Sequence, residues 1–206
     1  MFSRNRELTM RFALGLLCAL MMPVLSGCVP VVMAGATEGA VVVAQERSVG
    51  NAVDDAGILL KLKQRFAEKD SKDLFANVEI KVVEGRVLLS GNVDKPDTQI
   101  DAVNIAWQVN GVQEVINEIQ INDKSGFGNY AQDVWISTQI RSRLLFTKGI
   151  RSVNYSVLTV NQVVYLMGIA QDQAELDRAT WVASTTSYVQ KVVSYVRLKD
   201  DPRRKQ

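Results

Sequence analysis

Val78-Glu79-Ile80-Lys81-Val82, then Glu84-Gly85, then Val87-Leu88-Leu89-Ser90-Gly91 is the stretch that decides the fold. Apolar and polar residues alternate in the first run, a turn pair follows, and an apolar run returns, which predicts a β-hairpin. About 77 residues later the pattern recurs. Val153 to Val160 leads into Asn161-Gln162, and Val163-Val164-Tyr165-Leu166-Met167-Gly168 returns. Before each hairpin, apolar residues stand four apart, Ile58, Leu62 and Phe66 in one copy and Ile136, Ile140 and Leu144 in the other. That spacing places each set on one face of a helix.

A second helix is predicted after each hairpin, over 96–109 and 173–188, with Pro96 suited to a first helical position. A last strand closes each copy, over 112–121 and 189–198. The order is therefore αββαβ, twice. The fold class is α+β, with each unit a three-stranded sheet carrying two helices on one face. A tight hairpin makes the first pair antiparallel and a helical crossover makes the next parallel, so each sheet is mixed. Gly91 and Gly168 end strands, where glycine relieves backbone crowding, and Gly85 and Gly111 read as turn residues.

The amino end reads differently. Arg4, Arg6 and Arg11 precede an apolar run from Phe12 to Leu25, about 14 residues and too short to span a bilayer. Initiation at Met10 instead of Met1 leads to the same processed end. Leu25-Ser26-Gly27-Cys28 resembles a lipoprotein box, which implies cleavage before Cys28 and attachment of diacylglycerol, with palmitate-type acylation, at its thiol. By the same resemblance Val29, standing where inner-membrane lipoproteins commonly carry Asp, implies the outer membrane. The boundaries that follow are 1–27 signal peptide, 28–53 tether, 54–122 first unit, 123–132 linker, 133–199 second unit and 200–206 charged tail. The tether is rich in Val, Ala and Gly; a strand or short helix packed on the folded part is the alternative.

Composition narrows the chemistry. The chain has 206 residues, 47% hydrophobic and 22% charged, and no histidine. Without imidazole, the Ser/His/Asp and Cys/His nucleophiles and imidazole zinc sites are excluded. Two cysteines, Cys18 and Cys28, make neither a metal cluster nor a disulfide framework. Asp172, Glu175 and Asp177 read as acids of a first helical turn rather than as a catalytic cluster. The expectation is a binding protein, not an enzyme, with no catalytic residue, metal or cofactor. Removal of 1–27 leaves 21 basic and 21 acidic residues, so a nucleic-acid partner has no support.

The αββαβ unit, strands ending in Gly91 or Gly168, and last strands opening Val112-Gln113-Glu114-Val115 and Val189-Gln190-Lys191-Val192 together resemble the BON domain family. So do Arg47-Ser48-Val49-Gly50, Asp54-Asp55 and Asp133-Val134-Trp135-Ile136. Two such units behind a lipoprotein signal resemble the dual BON-domain lipoproteins of Gram-negative outer membranes and, more loosely, their secreted kin. The resemblance implies a non-enzymatic periplasmic protein that binds anionic phospholipid (phosphatidylglycerol, cardiolipin) and supports envelope integrity, with enrichment at the division site.

The copies differ in charge. Residues 54–121 carry 8 basic and 12 acidic side chains, residues 133–199 carry 8 and 4, for net charges of −4 and +4. Each Lys or Arg near anionic headgroups contributes about 1 kcal/mol, so the second unit is the one expected at a membrane. On its first helix Trp135 falls roughly 140° from the inward face at 100° per residue. Phe146 projects to nearly the same side, and Arg141 and Arg143 flank it. Trp135, Arg141, Arg143, Leu145 and Phe146 are therefore the candidate phospholipid-binding residues, whereas the first copy has Gly57 in the place of Trp135. Packing of Trp135 against the first unit or the linker is the alternative. Trp107 and Trp181 are expected in the core. A competing function is an adaptor that holds an envelope protein through the acidic first unit or its strand edges.

Overall fold

The computed structural model describes residues 46–70, 72–121 and 127–205. The signal segment 1–27, Cys28 and most of the tether lie outside the described residues, as do the first residues of the linker.

The first unit begins with α1 (Val49–Lys69), whose Ser48 hydroxyl caps the helix by accepting from the Asn51 N–H at 3.1 Å. Ile58, Leu62 and Phe66 are buried along it, as their spacing predicts. A single turn, α2 (Leu74–Asn77), leads into β1 (Val78–Val83), β2 (Arg86–Val93), α3 (Pro96–Trp107) and β3 (Glu114–Ile121). The second unit repeats the order with α4 (Phe127–Phe146), a 3-10 turn (Ser152–Asn154), β4 (Tyr155–Val160), β5 (Val163–Ala170), α5 (Gln173–Ser184) and β6 (Lys191–Leu198). A last 3-10 turn covers Pro202–Lys205.

Each sheet has three strands with the hairpin's second strand in the middle. The pairings β1–β2 and β4–β5 are antiparallel, and β2–β3 and β5–β6 are parallel. Registers repeat as well, Val78 opposite Gly91 recurring as Tyr155 opposite Gly168. The elements differ from the sequence expectation at their ends. Val153 and Asn154, expected at the start of a strand, lie in the 3-10 turn Ser152–Asn154. The second helices stop at Trp107 and Ser184 rather than at 109 and 188. At the end of α5 the hydroxyls of Ser184 and Thr185 donate back to the Trp181 carbonyl, at 3.1 and 2.8 Å, and so compete with continuation of the helix. The first helices begin before Asp54 and Asp133, at Val49 and Phe127.

Both hairpins turn through residues of positive φ, Glu84 (53°) and Gly85 (70°), Asn161 (49°) and Gln162 (66°). Such turns match the strand twist but leave two N–H groups pointing inward. A helix aspartate receives them in each unit. Asp55 accepts from Glu84 N and Gly85 N at 2.9 Å each, and Asp133 from Asn161 N and Gln162 N at 2.7 and 2.8 Å. Gly91 and Gly168, expected to end strands, lie two residues inside them because the parallel pairing runs on to Val93 and Ala170. Crowding requires them, since a Cβ on either would sit 1.9 Å from the carbonyl oxygen of Asn77 or Asn154.

Helices cover one face of each sheet, and the other faces pack on each other. Val83, Leu88 and Ile116 of the first sheet meet Leu158, Val160, Tyr165, Met167 and Ile169 of the second in one buried cluster. The layers therefore run helices, sheet, sheet, helices. Charged pairs rim this interface. Arg86 donates to Glu114 at 2.8 Å and to the Tyr195 carbonyl at 2.9 Å, and Arg197 donates to the same Glu114 carboxylate at 2.8 Å. Arg204, in the tail, forks onto Glu84 with two contacts of 2.9 Å. The opposite net charges of the units meet here as specific pairs of arginines from the second unit and tail with first-unit acids.

Candidate functional site: an aromatic surface on the second unit

The helix α4 turns Ile136, Ile140 and Leu144 into the core with no exposure to solvent beyond a trace. Its register therefore sets Trp135 outward, at 43% exposure, and Phe146 further out at 82%. Leu145 is exposed as well. The Trp135 indole meets Tyr188 of its own unit edge-on, with centroids 5.7 Å apart and planes at 74°.

The two arginines lie on opposite flanks of that stripe and both are engaged. Arg141 reaches the outer edge of its own sheet, donating Nη2 to the Val157 carbonyl on β4 at 2.6 Å. Arg143 reaches the other way, to the end of α5. Its Nη1 donates to the Val182 carbonyl at 2.9 Å and to Thr186 Oγ1 at 2.6 Å, and its Nη2 donates to Thr185 Oγ1 at 2.9 Å. The same guanidinium stands 5.9 Å from the centroid of the Trp181 ring, a cation–π distance. Arg143 thus stitches α4 to α5 and holds an indole while its charge stays at the surface.

Trp181 corrects a sequence expectation. It is 61% exposed, and Trp107 is exposed too. The reason is the small residues of the second helices. Ala102 and Ala106 on α3, and Ala179, Val182 and Ala183 on α5, are what these helices press onto the sheet, so the tryptophans beside them point out. Tyr188, 63% exposed, is a residue that the sequence pattern did not single out. It adopts a φ of 68°, where the first copy has Gly111 at 94°. A non-glycine residue in that region costs about 1–3 kcal/mol, and the strain here brings a ring against Trp135.

Asp172 caps α5 by accepting from Glu175 N at 2.7 Å, and the buried Glu175 carboxylate accepts from Arg151 N and Gln171 N at 2.7 Å each. These acids tie backbone, as first-turn acids do, and Asp177 pairs with Gln173 at 2.7 Å. Among the described residues no group of three or more His, Cys, Asp or Glu side chains is placed to hold a metal ion, and no helix is long and apolar enough to cross a membrane.

Comparison with known proteins agrees with this architecture. The BON domain family model matches twice, at residues 54–123 and 132–200. An uncharacterised protein of Anaplasma centrale is 45% identical over 148 residues, covering 71% of this chain and 96% of that protein. The outer membrane lipoprotein DolP of Haemophilus influenzae is 32% identical over 179 residues, covering 85% of this chain and 91% of DolP. The osmotically inducible protein Y of Escherichia coli is 29% identical over 153 residues, covering 73% of this chain and 76% of that protein. With two matched αββαβ units that fill most of its described length, the chain belongs to the BON domain family and is a tandem, DolP-like member of it.

Proposed function

We propose that this protein is a periplasmic lipoprotein, anchored in the outer membrane through lipid on Cys28, that binds anionic phospholipid through its second BON domain. In that reading it supports envelope integrity, with the division site as its place of action, and it is a binding protein rather than a catalyst. The observation that carries the reading is Trp135, an exposed indole on a domain of net charge +4, braced by Tyr188. An indole at the boundary between headgroups and acyl chains buries its ring while its N–H stays hydrated. Kinship with a protein named as an outer membrane lipoprotein supports the location.

The arginines enter this reading in a definite way. Arg143 supplies attraction to anionic headgroups chiefly as charge, because both its terminal nitrogens donate to Val182, Thr185 and Thr186, whereas Arg141 gives one donor to Val157 and is exposed. In this reading recognition rests on headgroup charge, and phosphatidylglycerol and cardiolipin both qualify.

A second reading, an adaptor that holds an envelope protein through the first unit, is favoured by a groove of about 610 Å³ beside β1. Leu59, Phe66, Phe75 and residues of β1 line it from the first unit, and Tyr130, Asp133 and residues 159–161 line it from the second. On the second unit Arg141 occupies one carbonyl of the corresponding edge, that of Val157.

The deciding experiment is co-sedimentation of the chain from Val29 onward with vesicles of phosphatidylglycerol and of phosphatidylcholine. Binding to the first and not the second, lost in Trp135→Glu, is the expected result. Equal pelleting of wild type and Trp135→Glu overturns the assignment to the second unit. Mass spectrometry of the processed protein tests the anchor, since an unmodified Cys28 overturns it.

A further inference from the structure

The phospholipid reading above rests on one helix, α4, but the exposed aromatic surface does not end there. Three aromatic side chains from three places in the second unit share it. Trp135 comes from α4, Trp181 from α5 and Tyr188 from the loop after α5. Trp135 and Tyr188 are in ring contact, and Arg143, one helical flank from Trp135, lies over Trp181. In the first unit the residue before Ile58, which matches Ile136, is Gly57; the offset that aligns Pro96–Trp107 with Gln173–Ser184 puts Asn104 and Gly111 in the places of Trp181 and Tyr188. The fold itself thus requires none of the three rings, since the first unit builds the same helices and sheet without them.

Tyr188 points the same way with a second, independent observation. Its backbone lies in the left-handed region that the first unit fills with glycine, and its ring remains largely exposed. A strained residue whose side chain gains little burial from folding has its use outside the folding balance. Basic side chains stand around this surface, Arg141 and Arg143 on the flanks of α4 and Arg178 on α5, where it grips the Gly149 carbonyl at 2.9 Å. Aromatic rings inside a fringe of cations suit an anionic membrane interface better than a protein groove.

The anchoring of Glu46 bears on the occupant. Glu46 is fixed on the second unit, its N–H donating to Asn154 Oδ1 at 3.0 Å and its carboxylate paired with Arg151 and with Lys199. From Cys28 to Glu46 the chain reaches at most ~60 Å when fully extended. A lipid on Cys28 therefore tethers the second unit, the one with the rings, within reach of the bilayer.

We propose that Trp181 and Tyr188 enter the membrane interface together with Trp135, so that the phospholipid surface is a two-helix aromatic platform rather than the outer stripe of α4. This rests on the phospholipid reading and enlarges it to residues outside α4. Arg143 is the positioning residue that joins the two halves of the platform.

The test uses three single-tryptophan versions of the chain from Val29 onward, each retaining Trp135, Trp181 or Trp107 with the other two changed to Phe. All three positions are exposed, so the changes leave the core intact. Fluorescence is read on phosphatidylglycerol vesicles with brominated acyl chains. Quenching of both the Trp135 and Trp181 proteins, and none of the Trp107 protein, is expected. Quenching of the Trp135 protein alone overturns this inference and leaves the α4 reading standing. Quenching of neither overturns both, and quenching of the Trp107 protein equal to the others overturns the second-unit surface. Tyr188→Gly, which places the first unit's residue in the same left-handed backbone, is expected to fold with equal or greater stability and to bind vesicles roughly fivefold to tenfold more weakly. Unchanged vesicle binding removes Tyr188 from the platform.

Discussion

The Arg143 guanidinium lies 5.9 Å from the centroid of the Trp181 ring and donates from the same end to Thr185 and Thr186. One side chain of α4 thereby ties down the carboxyl end of α5 and an exposed indole. Charge and geometry are carried by different features of this residue, since any cation supplies the first and only a planar fork supplies the second.

Arg143→Lys separates them. The variant keeps the net charge of the second unit but loses the fork onto Val182, Thr185 and Thr186. Vesicle affinity is expected to fall about tenfold while the slope of affinity against salt concentration stays that of wild type. A fall in slope together with a loss of affinity at low salt is the opposite outcome, and it makes Arg143 a headgroup ligand.

The turn aspartates give a stability prediction. Asp133 accepts two backbone N–H groups of the β4–β5 turn, at 2.7 and 2.8 Å. In Asp133→Asn the amide group turns a donor towards one of those donors. A loss of about 2 kcal/mol is expected, read as a lower urea midpoint with an unchanged slope. Asp55→Asn is expected to cost as much or more, because Asp55 also takes Arg47 at 2.9 Å.

Two glycines predict opposite signs. A Cβ on Gly168 would lie 1.9 Å from the Asn154 carbonyl oxygen at a φ of 150°, and the obstacle is backbone. Gly168→Ala is expected to cost on the order of 3 kcal/mol or more. Gly57, inside α1, has nothing within 4 Å of its Cβ position, so Gly57→Ala should stabilise by about 0.5–1 kcal/mol. Thermal unfolding of both variants checks the pair.

Residues with a strict period are legible from the amino-acid order alone. Ile58, Leu62 and Phe66, their counterparts on α4, and the hairpins with their turn pairs spell out the αββαβ order, and they lie where periodicity puts them. Trp135 is legible as an outward residue for the same reason. What escapes is what period does not encode. The second helices meet the sheet through alanines, so a scale that expects tryptophan in the core misplaces Trp181 and Trp107. The packing of sheet on sheet has a signal, the apolar runs 87–89 of β2 and 163–167 of β5, since a strand buried on both faces loses its alternation. Arg86 hides it, a buried charge in a central strand whose partner, Glu114, lies 28 residues on. Tyr188 has no signal, because a left-handed backbone is announced in sequence by glycine, asparagine or aspartate and not by tyrosine.

The fixing of Glu46 gives a pH dependence. Its carboxyl is held below the ordinary carboxylate range, chiefly by the hydrogen bond from Lys199. For a depressed acid the stabilisation is fully present above the unfolded value and fades as pH falls through the folded one. Glu46→Gln is therefore expected to be less stable than wild type at pH 7, and the difference to close as pH drops below about 4.5, the ordinary Glu value. Parallel stability curves at pH 7 and pH 3 would count against any role of the Glu46 charge.

The last prediction concerns what holds the second unit at a membrane. Burying an aromatic side chain fully contributes about 2–3 kcal/mol, and each nearby cation about 1 kcal/mol. Trp135 is already partly covered by Tyr188, so its remaining gain is at the lower end of that range. The apolar and electrostatic contributions are then of one size, and salt and mutation should remove different halves. Raising salt from about 0.05 to about 0.5 M shortens the screening length to a few ångströms and should weaken phosphatidylglycerol binding without abolishing it. Trp135→Glu places an acid among anionic headgroups and should abolish binding at either salt concentration. The comparison belongs in the full chain, because separating the units would expose Leu88, Leu158 and Met167 from the sheet interface and create an apolar surface of its own. Retention of salt-sensitive binding by Trp135→Glu would show attraction through charge alone and would remove insertion from the mechanism.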